Sequence, residues 1–558
     1  MKLSGAQAII KVLLEQGVDT VFGYPGGQVI PLYDALYDAP LRNVLTAHEQ
    51  GAVHAADGYA RASGRTGVCI ATSGPGATNI VTGLATAYLD SVPLVAITGQ
   101  VAVGNLGRDS FQEIDIVGVT LPITKYNILV RQAEELLPAL RQAFYLAQEG
   151  RPGPVLVDVP SDLQVGEVLW TEPEPQSQAA AATAREEVLE AAAVTIANAK
   201  QPVFLVGGGA IHSGAAAEVW QFAQKTGMPV VNTLMGIGVF PGSDRQCLGL
   251  TGMHGHIAAN MAVANADVLV VAGSRFSERV TGDRKRYVGK KTIIQLDIDP
   301  SEVDKNIVTA LPLVGDMKEN LLQLTQRVPK LELEHWWHTI DAWAATEDRS
   351  SQAGDRLTAP WLMQELTRSF RGADTVFVTD VGQNQMWAAL HLEVDAPRHH
   401  LTSGGCGTMG FGLPAALGAK MARPDAQVVQ ICGDGGFKMT GMEMYTALRE
   451  NAPFITIVIN NSCLGMVRQW QQVFYDQRYS STILTPFDFV GFAKACGAAG
   501  ARVTSCAEFQ QALTQACQLG KNFLIEAVVE QSDLVEPMVA PGAVLDDFVP
   551  TKACQRGR

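Results

Sequence analysis

At 558 residues the chain is longer than the roughly 250 to 300 residues at which one hydrophobic core stops growing, so two to four domains are expected. Its 47% hydrophobic and 18% charged residues, with 54 glycines and 27 prolines, are ordinary globular usage rich in tight turns, which argues against disorder beyond short linkers. A formal charge of −14, without a lysine–arginine cluster able to neutralise a row of phosphates, makes nucleic acid a poor partner.

The N-terminus enters an amphipathic helix at once, from Ser4 to Gln16 with Gly17 closing it, which leaves no room for a signal or transit peptide. Short β-branched runs ending in glycine then recur, each followed by a helical pattern: TVFGYPGG, GVCIATSGPG, PLVAITG, PVFLVGGG, DVLVVAGS, TVFVTDVG, QVVQICGDGG and FITIVINN. This βα alternation predicts an α/β fold of doubly wound parallel sheets. Two stretches break it, an alanine–proline–glutamine segment from Thr171 to Thr183 and a polar one from Glu347 to Arg356. The predicted organisation is therefore three domains over 1–170, 189–346 and 358–558, with linkers at 171–188 and 347–357 and a lid segment at the C-terminus. The nine cysteines are odd in number and form no C-x-x-C pair, so neither a zinc site nor a disulfide framework is indicated. Apolar runs such as Phe454 to Ile459 fall far short of the roughly 18 residues that span a bilayer. A cytoplasmic protein without membrane partners is expected.

The first and third domains repeat one plan. Thr20 in Asp-Thr-Val-Phe answers to Thr375 at an offset of 375 − 20 = 355, Gly74 in Gly-Pro-Gly to Gly433 in Gly-Asp-Gly at 433 − 74 = 359, and Pro93 to Pro453 at 360. Near-constant offsets point to an internal duplication.

The strongest chemical signal lies in the third domain. The strand QVVQIC runs into Gly433-Asp434-Gly435-Gly436, and a second strand, FITIVI, ends at Asn460-Asn461. Donors on two strand ends meet in the crevice where open α/β sheets bind ligands. One carboxylate and one amide oxygen suit Mg²⁺, which fills its remaining positions with water and phosphate. The glycines would let backbone amides approach a diphosphate. Each fragment alone reads better as a tight βα turn; the pair, at a spacing of 461 − 434 = 27, is far more specific. Elsewhere, Arg275 and Arg279 stand four apart and read as a solvated basic stripe if helical. The Gly207-Gly208-Gly209 triplet after a strand is a weak dinucleotide signal on its own, and Glu49 at a helix start reads as a capping charge.

The GDG–NN spacing resembles the thiamine-diphosphate-dependent enzymes, and the likeness runs from the first helix to MVAPGA near the C-terminus. Among these the segments GRDSFQEIDIVG, TSGGCGTMGFGLPAALG, LGMVRQWQ and GSRFSERVTG resemble the acetohydroxyacid synthase catalytic subunits. The resemblance implies pyrimidine-binding, central and diphosphate-binding domains. It implies thiamine diphosphate, Mg²⁺ and a redox-silent FAD, with Asp434, Asn461 and the backbone of Cys463 as metal ligands. Glu49, in TAHEQGAVHAADGYARASG, is implied to act on the cofactor's pyrimidine nitrogen, where a desolvated carboxyl able to carry a proton is what the chemistry calls for.

Further cofactor contacts are implied at Gly26, Gln383, Asn384 and Gly407, at Gly433, Gly435 and Gly436, and at Leu464, Gly465 and Met466. Phe111, Gln112 and Met466 are implied in the active site, Met409 in holding the cofactor bent, and Trp470 in selecting the second substrate. Arg279 is implied to bind that substrate's carboxylate, in a planar fork. For FAD the implied residues are Arg151, Gly207, Gly208, Gly209, Met253, His254, Gly273, Arg275, Asp297, Asp299 and Asp316. The implied reaction decarboxylates pyruvate and ligates the two-carbon remainder to a second pyruvate or 2-ketobutyrate. A homodimer or homotetramer with active sites across the subunit interface is implied, together with a small regulatory subunit. Ser277 and Glu278 stand where this family commonly has aspartates, and Asn384 where it has histidine; altered cofactor affinity is the expected consequence. An FAD-independent catabolic acetolactate synthase, another pyruvate-type thiamine enzyme, or a nucleotide-binding protein of the same sheet type remain the alternatives.

Overall fold

Ser4 and Gln7 form a capping box at the start of the first helix, Gly5–Glu15, and Gly17 takes the left-handed conformation just beyond its end, as the sequence leads one to expect. The structure, a computed structural model, describes residues 1–173, 182–347, 354 and 356–549. Most of the two linkers expected from the sequence lies outside the described residues; the helix Glu186–Asn198 begins within the last three positions of the first.

Three six-stranded sheets organise the chain. In spatial order the first holds Arg42–Leu45, Thr20–Tyr24, Gly67–Ala71, Leu94–Gln100, Pro154–Pro160 and Tyr126–Leu129, all parallel. Counted along the chain this order is 2-1-3-4-6-5. The third sheet runs His400–Leu401, Thr375–Thr379, Gln427–Gly433, Ile455–Asn460, Phe523–Val528 and Ala499–Val503, which is again 2-1-3-4-6-5. Two sheets of identical order, with strand offsets of 375 − 20 = 355, 427 − 67 = 360 and 455 − 94 = 361, bear out the duplication read from the sequence. The central sheet, from Cys247–Leu250 through Val230–Asn232, Val203–Val206, Val268–Ala272 and Thr292–Asp297 to Leu311–Val314, has the order 3-2-1-4-5-6 of dinucleotide-binding folds.

The described residues within 1–177, 373–384 and 401–531 form one compact unit, carrying the first sheet and all but the edge of the third; those within 178–372, 385–400 and 532–558 form another around the central sheet. In the first unit, helix Glu49–Ser63 lies against helix Gly412–Ala422; most residues of both are buried, and alanine and glycine recur along each. Side chains at Gly58 or Gly418 would collide with the facing backbones at Ala415 and Ala55, so glycine is what permits this approach. The contact is pinned by a buried charge cluster: Arg61 pairs with Asp57 and with Asp90 at 2.9 Å and donates to the Thr402 carbonyl at 2.9 Å. Asp90 in turn accepts from the Gly404 and Gly405 amides at 3.0 and 2.6 Å. In the second unit the C-terminal segment packs on the central sheet's loops, with Val539 N donating to Met253 O at 2.7 Å. No helix among the described residues is long and apolar enough to cross a membrane.

Candidate active site

In a sheet of order 2-1-3-4-6-5 the ligand crevice opens between strands 1 and 3, where connections leave toward opposite faces. In the third sheet those strands end at Asp380–Asn384 and Gly433–Gly436. Asp434 is buried at the first turn of the helix Asp434–Thr440, and burial pushes its carboxyl up to about 6 against Lys438 and the amides of Gly435 and Ser462. A divalent cation there would favour the ionised form against that burial. Asn461 is also buried; its Nδ2 donates to Gln383 Oε1 at 3.0 Å, and its Oδ1 accepts from Cys463 N at 3.3 Å. A Cβ added to Gly465 would lie 2.7 Å from Asn461 Nδ2 and overlap Gln383 Oε1. Gln383, Asn461 and Gly465 therefore meet. Asn384 is buried beside Gly433; its Nδ2 donates to Val381 O at 3.1 Å, while its Oδ1 has no protein partner. An orphaned oxygen at this crevice fits a ligand that donates to it. A Cβ on Gly435 would lie 2.7 Å from Leu464 Cδ2 and 3.5 Å from Met409 Cε, so two apolar side chains roof the Asp434 turn. Gly407, left-handed at φ 65°, precedes Met409 in the loop that Asp90 anchors.

The first sheet repeats the arrangement. Gly26 follows strand 1, and a Cβ on it would stand 2.6 Å from Thr72 Cβ, beyond strand 3. Glu49 Oε2 accepts from Asn79 Nδ2 at 3.0 Å, and a Cβ on Gly76 would lie 3.3 Å from Glu49 Oε1. Gln112, itself left-handed at φ 62°, is pressed against Gly74, where a Cβ would come within 2.9 Å of its own. Gly26, Glu49 and Gln112 thus share one end of this sheet. Phe111 is 83% exposed. The groups that hold Glu49 belong to its own sheet, and among the described residues no hydrogen bond or ion pair joins it to Asp434 or Asn461. No cluster of three His, Cys, Asp or Glu side chains able to hold a metal occurs among the described residues; the candidate donors are one carboxylate, one amide and a backbone.

Met466 and Trp470 lie on the helix Gly465–Phe474, where Trp470 meets Phe474 edge-on at 5.6 Å. Gln469 on the same helix is buried and accepts from Gln383 Nε2 at 2.9 Å, tying it to the crevice.

In the central sheet the crevice falls between Val203–Val206 and Val268–Ala272, followed by Gly207–Gly209 and by Gly273. These glycines touch: a Cβ on Gly209 would lie 2.7 Å from Gly273 Cα, and Gly209 N donates to Gly273 O at 3.0 Å. Gly208 faces Met235, where a Cβ would lie 3.0 Å from that of Met235. Arg275 and Arg279 do not form a helical stripe, because only Glu278–Thr281 is helical and Phe276 between them is left-handed at φ 54°. Arg279 instead closes over GMHGH: its carbonyl accepts from Met253 N at 2.8 Å, and its Nη1 lies 3.0 Å from Met253 Sδ. His254 is buried, and burial, with the Arg279 charge, pushes its imidazole down to about 4 against a hydrogen bond at the Pro537 backbone. Its Nδ1 has no protein partner, the mark of a neutral ring awaiting a ligand or water. Asp297 accepts from Asp299 N at 3.0 Å, and Asp316 caps the helix Met317–Arg327. Arg151, in the other unit, donates to Ser91 Oγ at 2.8 Å.

Sequence reasoning did not find Thr72, Asn79, Asp380, Glu113 or Gln469. Asp380 is buried, and its carboxylate accepts from the amides of Val381, Gly410 and Gly412, holding the Met409 loop to the end of strand 1. Glu113 gathers the amides of Gly107, Arg108 and Ser110, fixing the turn before Phe111 and Gln112. Glu113 serves amides within six residues and Asp380 amides up to 32 residues on, and because backbone amides carry no side-chain identity neither pairing announces itself as a motif.

Three domain families match the chain in order: the thiamine pyrophosphate enzyme N-terminal binding domain over 3–119, the central domain over 189–324 and the C-terminal binding domain over 380–527. The chain is 44% identical over 564 residues to a probable acetolactate synthase large subunit of Methanocaldococcus jannaschii, covering 98% of this chain and 95% of that one. It is 45% identical to the acetolactate synthase large subunit of Corynebacterium glutamicum (98% and 90% covered) and 41% identical to the acetolactate synthase isozyme 3 large subunit of Escherichia coli (98% of each).

Proposed function

The chain belongs to the acetolactate synthase large subunits, within the thiamine pyrophosphate enzymes, and from that membership we infer that it is a 2-keto acid carboligase. It decarboxylates pyruvate and joins the two-carbon remainder to a second pyruvate or to 2-ketobutyrate, giving 2-acetolactate or 2-aceto-2-hydroxybutyrate for branched-chain amino acid biosynthesis. The observation that carries this reading is identity of 41–45% over 98% of the chain to large subunits from three organisms.

Bound thiamine diphosphate supplies the carbon nucleophile and holds the electron pair that leaving CO₂ releases. The protein's part is placement. Asp434, the Asn461 amide oxygen and the Cys463 backbone would hold Mg²⁺, with Gly433, Gly435 and Gly436 admitting the diphosphate. Just beyond strand 1, Asn384 would present its oxygen to a donor of the cofactor or of metal-bound water, and Gln383 braces Asn461 and Gln469. Met409 and Leu464 form an apolar roof over the Asp434 turn that would exclude water and bear on the bound cofactor. Glu49 would hold the proton exchanged with the pyrimidine nitrogen of the bound cofactor. Since Glu49 and Asp434 are held separately in one chain, a homodimer that pairs one subunit's Glu49 with the other's metal site is the arrangement we favour. FAD would lie along the 3-2-1-4-5-6 crevice at Gly207–Gly209 and Gly273, near His254; carboligation moves no net electrons, so its role is structural. A small regulatory subunit and a cytoplasmic setting complete the reading; the names of the relatives support the first, and the free thiols among the described cysteines support the second.

The purified chain, supplied with thiamine diphosphate, Mg²⁺ and FAD, is expected to release CO₂ from pyruvate and accumulate 2-acetolactate. Acetaldehyde or acetate as sole product would sink the carboligase reading. Trp470 is expected to decide between acceptors, because an indole wall favours the ethyl group of 2-ketobutyrate by burial. Trp470→Leu should cost 2-ketobutyrate roughly 1 to 2 kcal/mol relative to pyruvate, about 5- to 30-fold in relative kcat/KM. Competition assays with both acceptors read this directly, and an unchanged product ratio would remove Trp470 from acceptor choice.

A further inference from the structure

Glu443 is a buried carboxylate with no part in the chemistry above. It opens the helix Glu443–Arg449 in the third-domain half of the first unit, yet its bonds run to the first sheet. Both carboxylate oxygens lie 3.1 Å from Ala47 N, and Oε1 lies 3.2 Å from His48 N. The Thr446 hydroxyl donates to Oε2 at 2.7 Å. Only 2% of the residue is exposed; burial pushes its carboxyl up, and these donors pull against that shift. A side chain at Gly51 would collide with Glu443, so the first turn of the Glu49 helix is shaped around this carboxylate. Ala47 and His48 are the last residues before Glu49, and His48 Nδ1 accepts from Gln50 N at 3.1 Å, which passes the constraint into the helix. Asp90 binds the Gly404 and Gly405 amides in the reverse direction, from the first sheet to the Met409 loop.

We propose that Glu443 is the positioning residue for Glu49: by gripping the Ala47 and His48 amides from the third domain, it sets the register at which the Glu49 carboxylate meets the cofactor. The inference rests on the role given to Glu49 above. What Glu443 must supply is reach and an acceptor oxygen, and its charge is secondary. A misplacement of about 1 Å can cost on the order of 100-fold in a catalytic step, so a loosened turn should be visible in proton transfer before it is visible in binding.

The test compares Glu443→Gln, Glu443→Asp and Glu443→Ala in the full chain by two readouts. One is hydrogen exchange of the Ala47 and His48 amides in the cofactor-free protein; the other is exchange of the C2 hydrogen of bound thiamine diphosphate. Gln keeps both length and acceptor and should leave both rates within about threefold of the parent, whereas Ala should speed amide exchange and slow C2 exchange by about 10- to 100-fold, with cofactor affinity held within about threefold. Asp, charged but one methylene short, should fall between them, and it carries the comparison if the Ala variant does not fold. A normal Asp variant beside a slow Gln variant would overturn the proposal by showing that charge matters and reach does not. C2 exchange unchanged in every variant that folds would overturn it as well. If Glu49→Gln itself leaves C2 exchange intact, the role of Glu49 fails; if that variant is slow while the Glu443 variants are normal, only the positioning role fails.

Discussion

Glu49→Gln is expected to slow C2 hydrogen exchange of bound thiamine diphosphate by about 100- to 10,000-fold, the range that a positioned acid–base group contributes. The substitution preserves volume and leaves an oxygen to accept from Asn79, which now donates to Glu49 Oε2 at 3.0 Å, so the surrounding turn should keep its form. What is lost is the ability to carry a proton. Affinity for the cofactor should fall far less, by about fivefold to tenfold, because one hydrogen bond contributes about 1 kcal/mol net. Exchange measured by quenching in deuterium oxide separates the two effects, and an exchange rate equal to the parent's would eliminate Glu49 from proton transfer.

The second large effect is expected at Asp434. Its carboxyl is buried and pushed up to about 6, so its ionised form is costly to hold in the crevice and a divalent cation there would offset that cost. Asp434→Asn keeps the shape and the contact with the Gly435 amide but halves the oxygen donors and removes the charge. Loss of a charge-assisted contact of about 1.5 to 3 kcal/mol should weaken Mg²⁺-dependent cofactor binding by about 10- to 150-fold. Titration calorimetry of thiamine diphosphate with Mg²⁺ and with excess EDTA reads this directly. The parent should bind tightly only with the metal, and the variant weakly in both. Equal affinity in the variant, or in the parent stripped of metal, would place the cation elsewhere.

The sheet type, and the candidate donors of the third domain, are legible in local sequence chemistry. Runs such as TVFVTDVG and QVVQICGDGG are β-branched strands ending in glycine, and that local chemistry dictates both a buried parallel strand and a turn open to a ligand. The 27-residue spacing of Asp434 and Asn461 was legible because one βαβ unit places consecutive strand ends side by side. The duplication was legible for the same reason, through near-constant offsets, and both duplicated sheets have the order 2-1-3-4-6-5. Periodicity misleads where the backbone turns: Arg275 and Arg279 stand four apart, but Phe276 at φ 54° breaks any helical face, and Arg279 closes over Met253 instead. What braces the candidate site emerges from the fold. Asp380, Glu113, Asp90 and Glu443 each spend a carboxylate on backbone amides, and Asp90 and Glu443 reach amides more than 300 residues away in the chain. Amides carry no side-chain identity and these acids lie in no shared motif; the pairings of Asp90 and Glu443 exist only once helices Glu49–Ser63 and Gly412–Ala422 have brought the two duplicated sheets together, whereas Glu113 and Asp380 serve amides of their own domains.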